Sequence, residues 1–105
     1  MKKHTQIYFD AFGHDIGDPT TFVPSEISEQ KGVDIHHIVT REDRIENLMA
    51  LTREEHQDWG EVKSVMVTLL KIHRFRLEEA GIAYNNDWFE FYINKYNDNE
   101  NLSGD

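Results

Sequence analysis

The sequence predicts an α+β fold in which a short β-hairpin follows one helix and precedes three more. Two apolar runs, at residues 33–39 and 48–51, flank a polar loop and have the composition of paired strands. Directly after the second run, Thr52 and Glu55 have the spacing of a capping box, which predicts a helix beginning there. Two longer segments with apolar residues at helical spacing follow this helix.

The N-terminal part contains one helix and then an irregular segment. Residues 5–12 place apolar side chains three and four positions apart, and Gly13 is expected to end this helix. Residues 14–30 are expected to be irregular because they contain several helix-breaking residues. These are Gly17, Pro19 and Pro24.

The C-terminal part is expected to contain two amphipathic helices. The first spans residues 61–80 and ends at Gly81. The second spans residues 87–96, with Asn86 as its N-cap. Both would supply packing surface for the hairpin.

The chain has a formal net charge of −9, and the acidity is concentrated outside the hairpin region. Residues 31–76 contain eight basic and eight acidic side chains, whereas residues 77–105 contain one and seven. Residues 1–97 are therefore expected to form one domain, and residues 98–105 an acidic, disordered tail. The absence of cysteine excludes disulfides, thiol catalysis and cysteine-ligated zinc. Neither a secretory leader nor a membrane span is expected, and a cytoplasmic location is the default prediction.

Three short segments carry a pattern of histidine and asparagine. They read Asp34-Ile35-His36-His37-Ile38, Ile45-Glu46-Asn47-Leu48-Met49-Ala50-Leu51 and Glu54-Glu55-His56. In this order and spacing they resemble the core of the HNH endonucleases, which have the ββα-metal (His-Me finger) fold. That core would occupy about residues 33–60. Residues 5–27 also look like the N-terminal part of small HNH proteins of phages and prophages.

The resemblance implies a role for each of these polar residues. His36 and His56 would hold one divalent metal ion (Mg, Mn, Ni or Zn), His37 would be the general base, and Asn47 would hold the loop that orients the base. Phosphodiester hydrolysis needs an activated water and charge neutralisation at the phosphate, which one imidazole and one divalent ion can supply. Different roles for His36 and His37 also agree with the alternation of side chains along a strand.

The sequence departs from its apparent relatives at four positions. Many relatives have two Cys-x-x-Cys pairs that bind a structural zinc ion. The corresponding residues here are Ser25, Ser28, Thr52 and Glu55. No structural zinc is expected, and the capping box together with the C-terminal helices is predicted to replace it. The loop between His37 and Asn47 is also shorter than in many relatives.

Other polar and aromatic residues carry weaker predictions. Four basic residues near the motif are candidates for phosphate contacts, although they could equally be salt-bridged surface: Arg41, Arg44, Arg53 and Lys63. The other histidines and both tryptophans are interpreted as structural, with His73 expected to be a hydrogen-bonded, partly buried imidazole. These residues are His4, His14, His73, Trp59 and Trp88.

Three functional hypotheses follow. The first is a metal-dependent endonuclease of a bacterial or phage-infected cell that cleaves double-stranded DNA, with a packaging or other DNA-delivering protein as partner. The second is a non-catalytic regulatory protein that retains the fold and uses an acidic, DNA-mimicking surface, which the net charge of −9 favours. The third is an RNA nuclease that uses the same site.

Overall fold

A computed structural model describes residues 2–14, 23–31, 33–60 and 62–103. Within these residues, four α-helices and one two-stranded antiparallel sheet form an α+β fold, as predicted. In chain order the elements are α1 (Lys3–Phe12), β1 (Val33–His37), a 3₁₀ turn (Ile45–Asn47), β2 (Leu48–Thr52), α2 (Arg53–Trp59), α3 (Lys63–Glu79) and α4 (Asn86–Ser103).

The predicted hairpin is confirmed, with β1 shorter at its C-terminal end than expected. His36 pairs with Met49 and His37 pairs with Leu48. Strand β1 ends at His37 because the backbone amide of Val39 bonds to the side chain of Asn47 at 3.0 Å instead of to a partner strand.

Strand β2 is buried on both faces, which places the hairpin between two layers of helix. Leu48 and Ala50 pack with Tyr8 of α1 on one face. Met49 and Leu51 face the larger core formed by α3 and α4. Because side chains alternate along a strand, His36 shares the face of Met49, and His37 shares the face of Leu48 and α1.

The predicted helix signals of α1 and α2 are confirmed. Gly13 has a positive φ of 74° at the end of α1, a conformation that glycine adopts readily. Thr52 and Glu55 form the reciprocal capping box that begins α2. The chemistry of these short local patterns is sufficient to define both helix ends.

The C-terminal helices are confirmed with different bounds. Asn85, not the predicted Asn86, caps α4, because its side-chain oxygen accepts from the amide of Trp88 at 3.2 Å. Helix α4 continues beyond residue 96 to Ser103, since no glycine or proline interrupts residues 97–103. It thus enters the segment predicted to be a disordered tail, and that assignment stays a prediction. The predicted break at Gly17 and Pro19 lies outside the described residues.

A buried polar network joins the segment before β1 to the helices. The carboxylate of Glu26 accepts from the hydroxyl of Tyr8 at 2.7 Å and lies 2.8 Å from Nδ1 of His73. The other ring nitrogen of His73 faces the carbonyl of Ile45. The prediction of a hydrogen-bonded structural imidazole at His73 is therefore confirmed, and its side chain is fully buried.

Candidate metal and nuclease site

One cleft brings together most of the residues that the motif predicts. Its volume is about 810 Å³, and its walls come from the start of α1, from β1 with the loop after it, and from α2. His36, His37 and His56 all line it.

No helix in the described part of the chain is long and apolar enough to cross a bilayer.

His36 and His56 meet across the junction of β1 and α2. Their ring centroids lie 4.7 Å apart, although the residues are on different elements. His36 is only 5% exposed, and its Nε2 finds no hydrogen-bond partner among the described residues. The hydrogen bond of this ring goes to the backbone of Gly60. Nε2 is therefore the nitrogen left with a free lone pair, an arrangement typical of metal-binding histidines.

The electrostatic surroundings keep His36 neutral. Burial, followed by the nearby charges of His56 and His37, lowers the pKa of His36 to about 4, while the Gly60 hydrogen bond acts in the opposite direction. A neutral imidazole is the form that binds metal. At neutral pH this ring needs to lose no proton before it can act as a ligand.

Gly60 permits the close approach of the two rings. A Cβ atom at this position would lie 2.7 Å from Cδ2 of His56 and 3.1 Å from Cε1 of His36. The first distance is shorter than a van der Waals contact allows. A side chain at residue 60 would therefore displace His56.

Asp34 is a third candidate ligand that the motif did not identify. It precedes His36 by two residues and thus leaves the same face of β1. Its Oδ2 lies 3.5 Å from Nδ1 of His56 and 3.6 Å from Nε of Arg53. Two ligands of one ion at about 2.1 Å are separated by roughly 3.0–3.5 Å, so Asp34 and His56 are close to that geometry. The alternation of side chains along β1 was the sequence signal that could have identified Asp34.

His37 points to the other side of the strand and has two polar neighbours. Its Nε2 lies 2.8 Å from Oδ1 of Asp43, and its ring centroid lies 4.7 Å from that of His4. The hydrogen bond from His37 lowers the pKa of Asp43 below its usual value, so this carboxylate is ionised. His4 was interpreted as structural, but α1 places it beside His37.

Asn47 lies behind the cleft, where it holds the loop that follows β1. It is fully buried. Its side-chain oxygen accepts from the amides of Val39 and Thr40, and its nitrogen donates to the carbonyls of Thr40 and Glu42, each at 2.9 Å. These contacts fix the path of the chain between His37 and Asp43.

The four basic candidates divide into two groups. Arg41 and Arg53 line the cleft. Arg44 instead pairs with Glu46 at 2.9 Å and lies over the ring of Trp88. Neither Arg44 nor Lys63 is among the described residues of the cleft wall. Trp88 is buried in the core, whereas Trp59 is 40% exposed.

The four residues at which the sequence resemblance expects cysteines lie together. The hydroxyl of Ser25 donates to the carboxylate of Glu55, which also accepts from the amide of Thr52 at 2.8 Å. Burial acts to raise the pKa of Glu55, but these bonds and one from Ser28 outweigh it and lower the pKa. Hydrogen bonds therefore join the turn at residues 25–28 to the start of α2.

Comparisons of the chain with protein-family models, with curated proteins and with solved structures found no match. The functional interpretation therefore depends on the geometry of the cleft and on the resemblance of the motif.

Proposed function

We propose that this protein is a divalent-metal-dependent endonuclease that hydrolyses DNA phosphodiester bonds in the cleft around His36, His37 and His56. The observation that carries the proposal is the buried, neutral and unpartnered Nε2 of His36, which lies against the ring of His56. A buried polar atom without a partner is costly in a folded protein, and a metal ion would satisfy it.

By residue type the donor set suits a divalent ion of the first transition series, although its three ligand atoms do not all lie within 4.8 Å of one another. His36, His56 and Asp34 would supply two imidazole nitrogens and one carboxylate oxygen, a combination that suits Mn, Ni or Zn better than Mg. Three protein ligands leave positions open for water and for phosphate oxygens. When bound, the ion would lower the pKa of a water molecule and neutralise charge on the phosphate.

His37 is the proposed general base. Asp43 accepts the Nε2 hydrogen of His37, which leaves the lone pair on the other ring nitrogen free to receive a proton from water. The carboxylate then stabilises the positively charged ring that results. Asp43 acts through His37 and is therefore a positioning residue.

The arrangement of the elements supports the same proposal. A hairpin followed directly by α2, with histidines on β1 and α2 and an asparagine holding the loop between the strands, is similar to the ββα-metal core of HNH endonucleases. The contact between Ser25 and Glu55 agrees with the same resemblance, which expects zinc-binding cysteines at these positions. Arg41 and Arg53 are the proposed phosphate contacts, since both line the cleft.

A plasmid-nicking assay tests the proposal. Purified protein is incubated with supercoiled DNA and Mg²⁺, Mn²⁺, Ni²⁺ or Zn²⁺, beside the variants His37→Ala and His56→Ala. Removal of the base is expected to slow nicking by about 10²- to 10⁴-fold at every metal concentration. His56→Ala is expected to lose activity through weaker metal binding, so excess metal should partly restore it.

The control variant is His14→Ala, since His14 is a histidine of the described chain that does not itself line the cleft, although it packs against Phe9, which does. It should retain full activity. Equal residual nicking by wild type and His37→Ala would show a contaminating nuclease and reject the proposal. The non-catalytic, acidic interaction protein would then be the better hypothesis, and a single-stranded RNA substrate in the same assay separates an RNA nuclease.

A further inference from the structure

A second group of potential metal ligands lies on the α1 side of β1. His4 comes from α1, His37 from β1 and Asp43 from the loop that Asn47 holds. One ligand atom from each residue lies within 4.8 Å of the other two. Three separate parts of the chain thus bring two imidazoles and a carboxylate to one place.

The chemistry of the group suits a borderline divalent ion. Two imidazole nitrogens and one carboxylate oxygen form a common ligand set for Zn²⁺, which leaves a fourth position for water. Ligand atoms of one tetrahedral ion lie roughly 3.4 Å apart. Side-chain rotations that move these atoms by about 1 Å would therefore complete the site.

We propose that His4, His37 and Asp43 form a second divalent-metal site, distinct from the one at His36 and His56, and that an ion bound there inhibits the protein. Binding through Nε2 requires the neutral His37 ring to change tautomer: its hydrogen leaves Nε2, where it was shared with Asp43 Oδ1, and a hydrogen is taken up from solvent on Nδ1. His37 would then be a metal ligand that cannot accept a proton from water. The metal site stands on its own geometry, whereas its inhibitory effect rests on the proposed nuclease function.

Histidines of both groups line the same cleft, but the groups consist of different residues. Because His36 and His37 are adjacent in β1, their side chains leave opposite faces of the strand. No residue is shared between them. Metal can therefore be removed from one without altering the ligands of the other.

Calorimetric titration with Zn²⁺ tests the site without reference to activity. The full chain is expected to bind two ions, and His4→Ala and His56→Ala are each expected to bind one. Asp43→Asn should lower by at least tenfold the Zn²⁺ affinity of the site that His4→Ala removes. His14→Ala is the matched control and should bind two, while circular dichroism establishes that each variant is folded.

An unchanged stoichiometry and affinity in His4→Ala would overturn the second site. So would a single ion in the wild type that His56→Ala alone abolishes. If the variants give the expected stoichiometries but wild type never nicks DNA, the metal site stands and the proposed function fails.

The inhibitory effect is tested by adding Zn²⁺ to nicking reactions that contain saturating Mn²⁺. The nicking rate of wild type is expected to fall at least tenfold as the second site fills. The nicking rate of His4→Ala should stay mostly unchanged at the same Zn²⁺ concentration. Equal inhibition of the two proteins would overturn the regulatory part.

Discussion

Among the histidines that the structure describes, His36 has the pKa that is lowered furthest from the ordinary value. It was predicted as a metal ligand from its place in the motif, but its burial and its contact with Gly60 depend on the way α2 folds back over β1. The sequence alone does not show that the ring stays neutral. This property links the candidate site to the stability of the domain.

The pKa of His36 predicts that acid destabilises the metal-free protein. The folded ring has a pKa of about 4, below the ordinary value of 6.5. Between these values the unfolded chain binds more protons, so the free energy of unfolding falls as the pH drops from 6.5 towards 4. The loss attributable to His36 should be on the order of 2–3 kcal/mol.

Urea unfolding in the presence of a chelator, at pH 7 and at pH 4.5, measures this effect. The variant His36→Gln removes the titrating group, so the difference between wild type and variant isolates it from other acid effects. If both proteins lose the same stability between the two pH values, His36 is not the group responsible.

At the scale of elements, the loop between the strands is organised by one side chain. Asn47 satisfies two amides and two carbonyls of residues 39–42, which a loop of this length could not pair by itself. The resemblance predicted that Asn47 holds the loop, and these contacts agree with that role. They also show why Asp43 reaches His37.

Asn47→Ala is expected to destabilise the domain by about 1–3 kcal/mol, because it leaves a cavity and four partly buried backbone groups without their partner. Asn47→Asp keeps an acceptor for the Val39 and Thr40 amides but loses both donors, so it should be intermediate. Urea unfolding gives the stability, and amide hydrogen exchange reports the loop. Exchange at Val39 should accelerate more in the alanine variant than in the aspartate variant. Equal exchange in all three proteins would show that other contacts hold the loop.

At the scale of the whole molecule, the buried polar network around Glu26 joins parts that are far apart in sequence. Glu26 contacts Tyr8, His73 and the amide of Ala50, so it connects α1, α3 and β2. Removing Glu26 leaves the Tyr8 hydroxyl and the His73 ring without their partner in the core. This network is therefore expected to be essential to the assembled fold.

The variant Glu26→Ala should lower the free energy of unfolding by about 3–5 kcal/mol. Glu29→Gln is the matched control, since the Glu29 side chain is 72% exposed and lies in the same segment. It should change stability by less than about 0.5 kcal/mol. Equal effects from the two variants, measured by urea unfolding, would show that the network adds little stability.

The fold was predictable where local chemistry decides it, and less so where distant parts meet. The capping box of Thr52, the stop at Gly13 and the hairpin all follow from short patterns. The cap of α4 was displaced by one residue, because Asn85 and Asn86 offer the same chemistry. The positions of His4 and Asp43 beside His37 depend on tertiary packing. No local pattern in the sequence indicates these contacts.

The corner formed by Ser25, Ser28, Thr52 and Glu55 has a consequence for the conditions in which the domain can fold. A zinc site with four thiolate ligands forms as one unit. It requires both available zinc and reduced cysteines. Hydrogen bonds require neither, and each can break and re-form separately. This domain should therefore fold equally well in metal-starved or oxidising surroundings, and its corner should loosen gradually on heating.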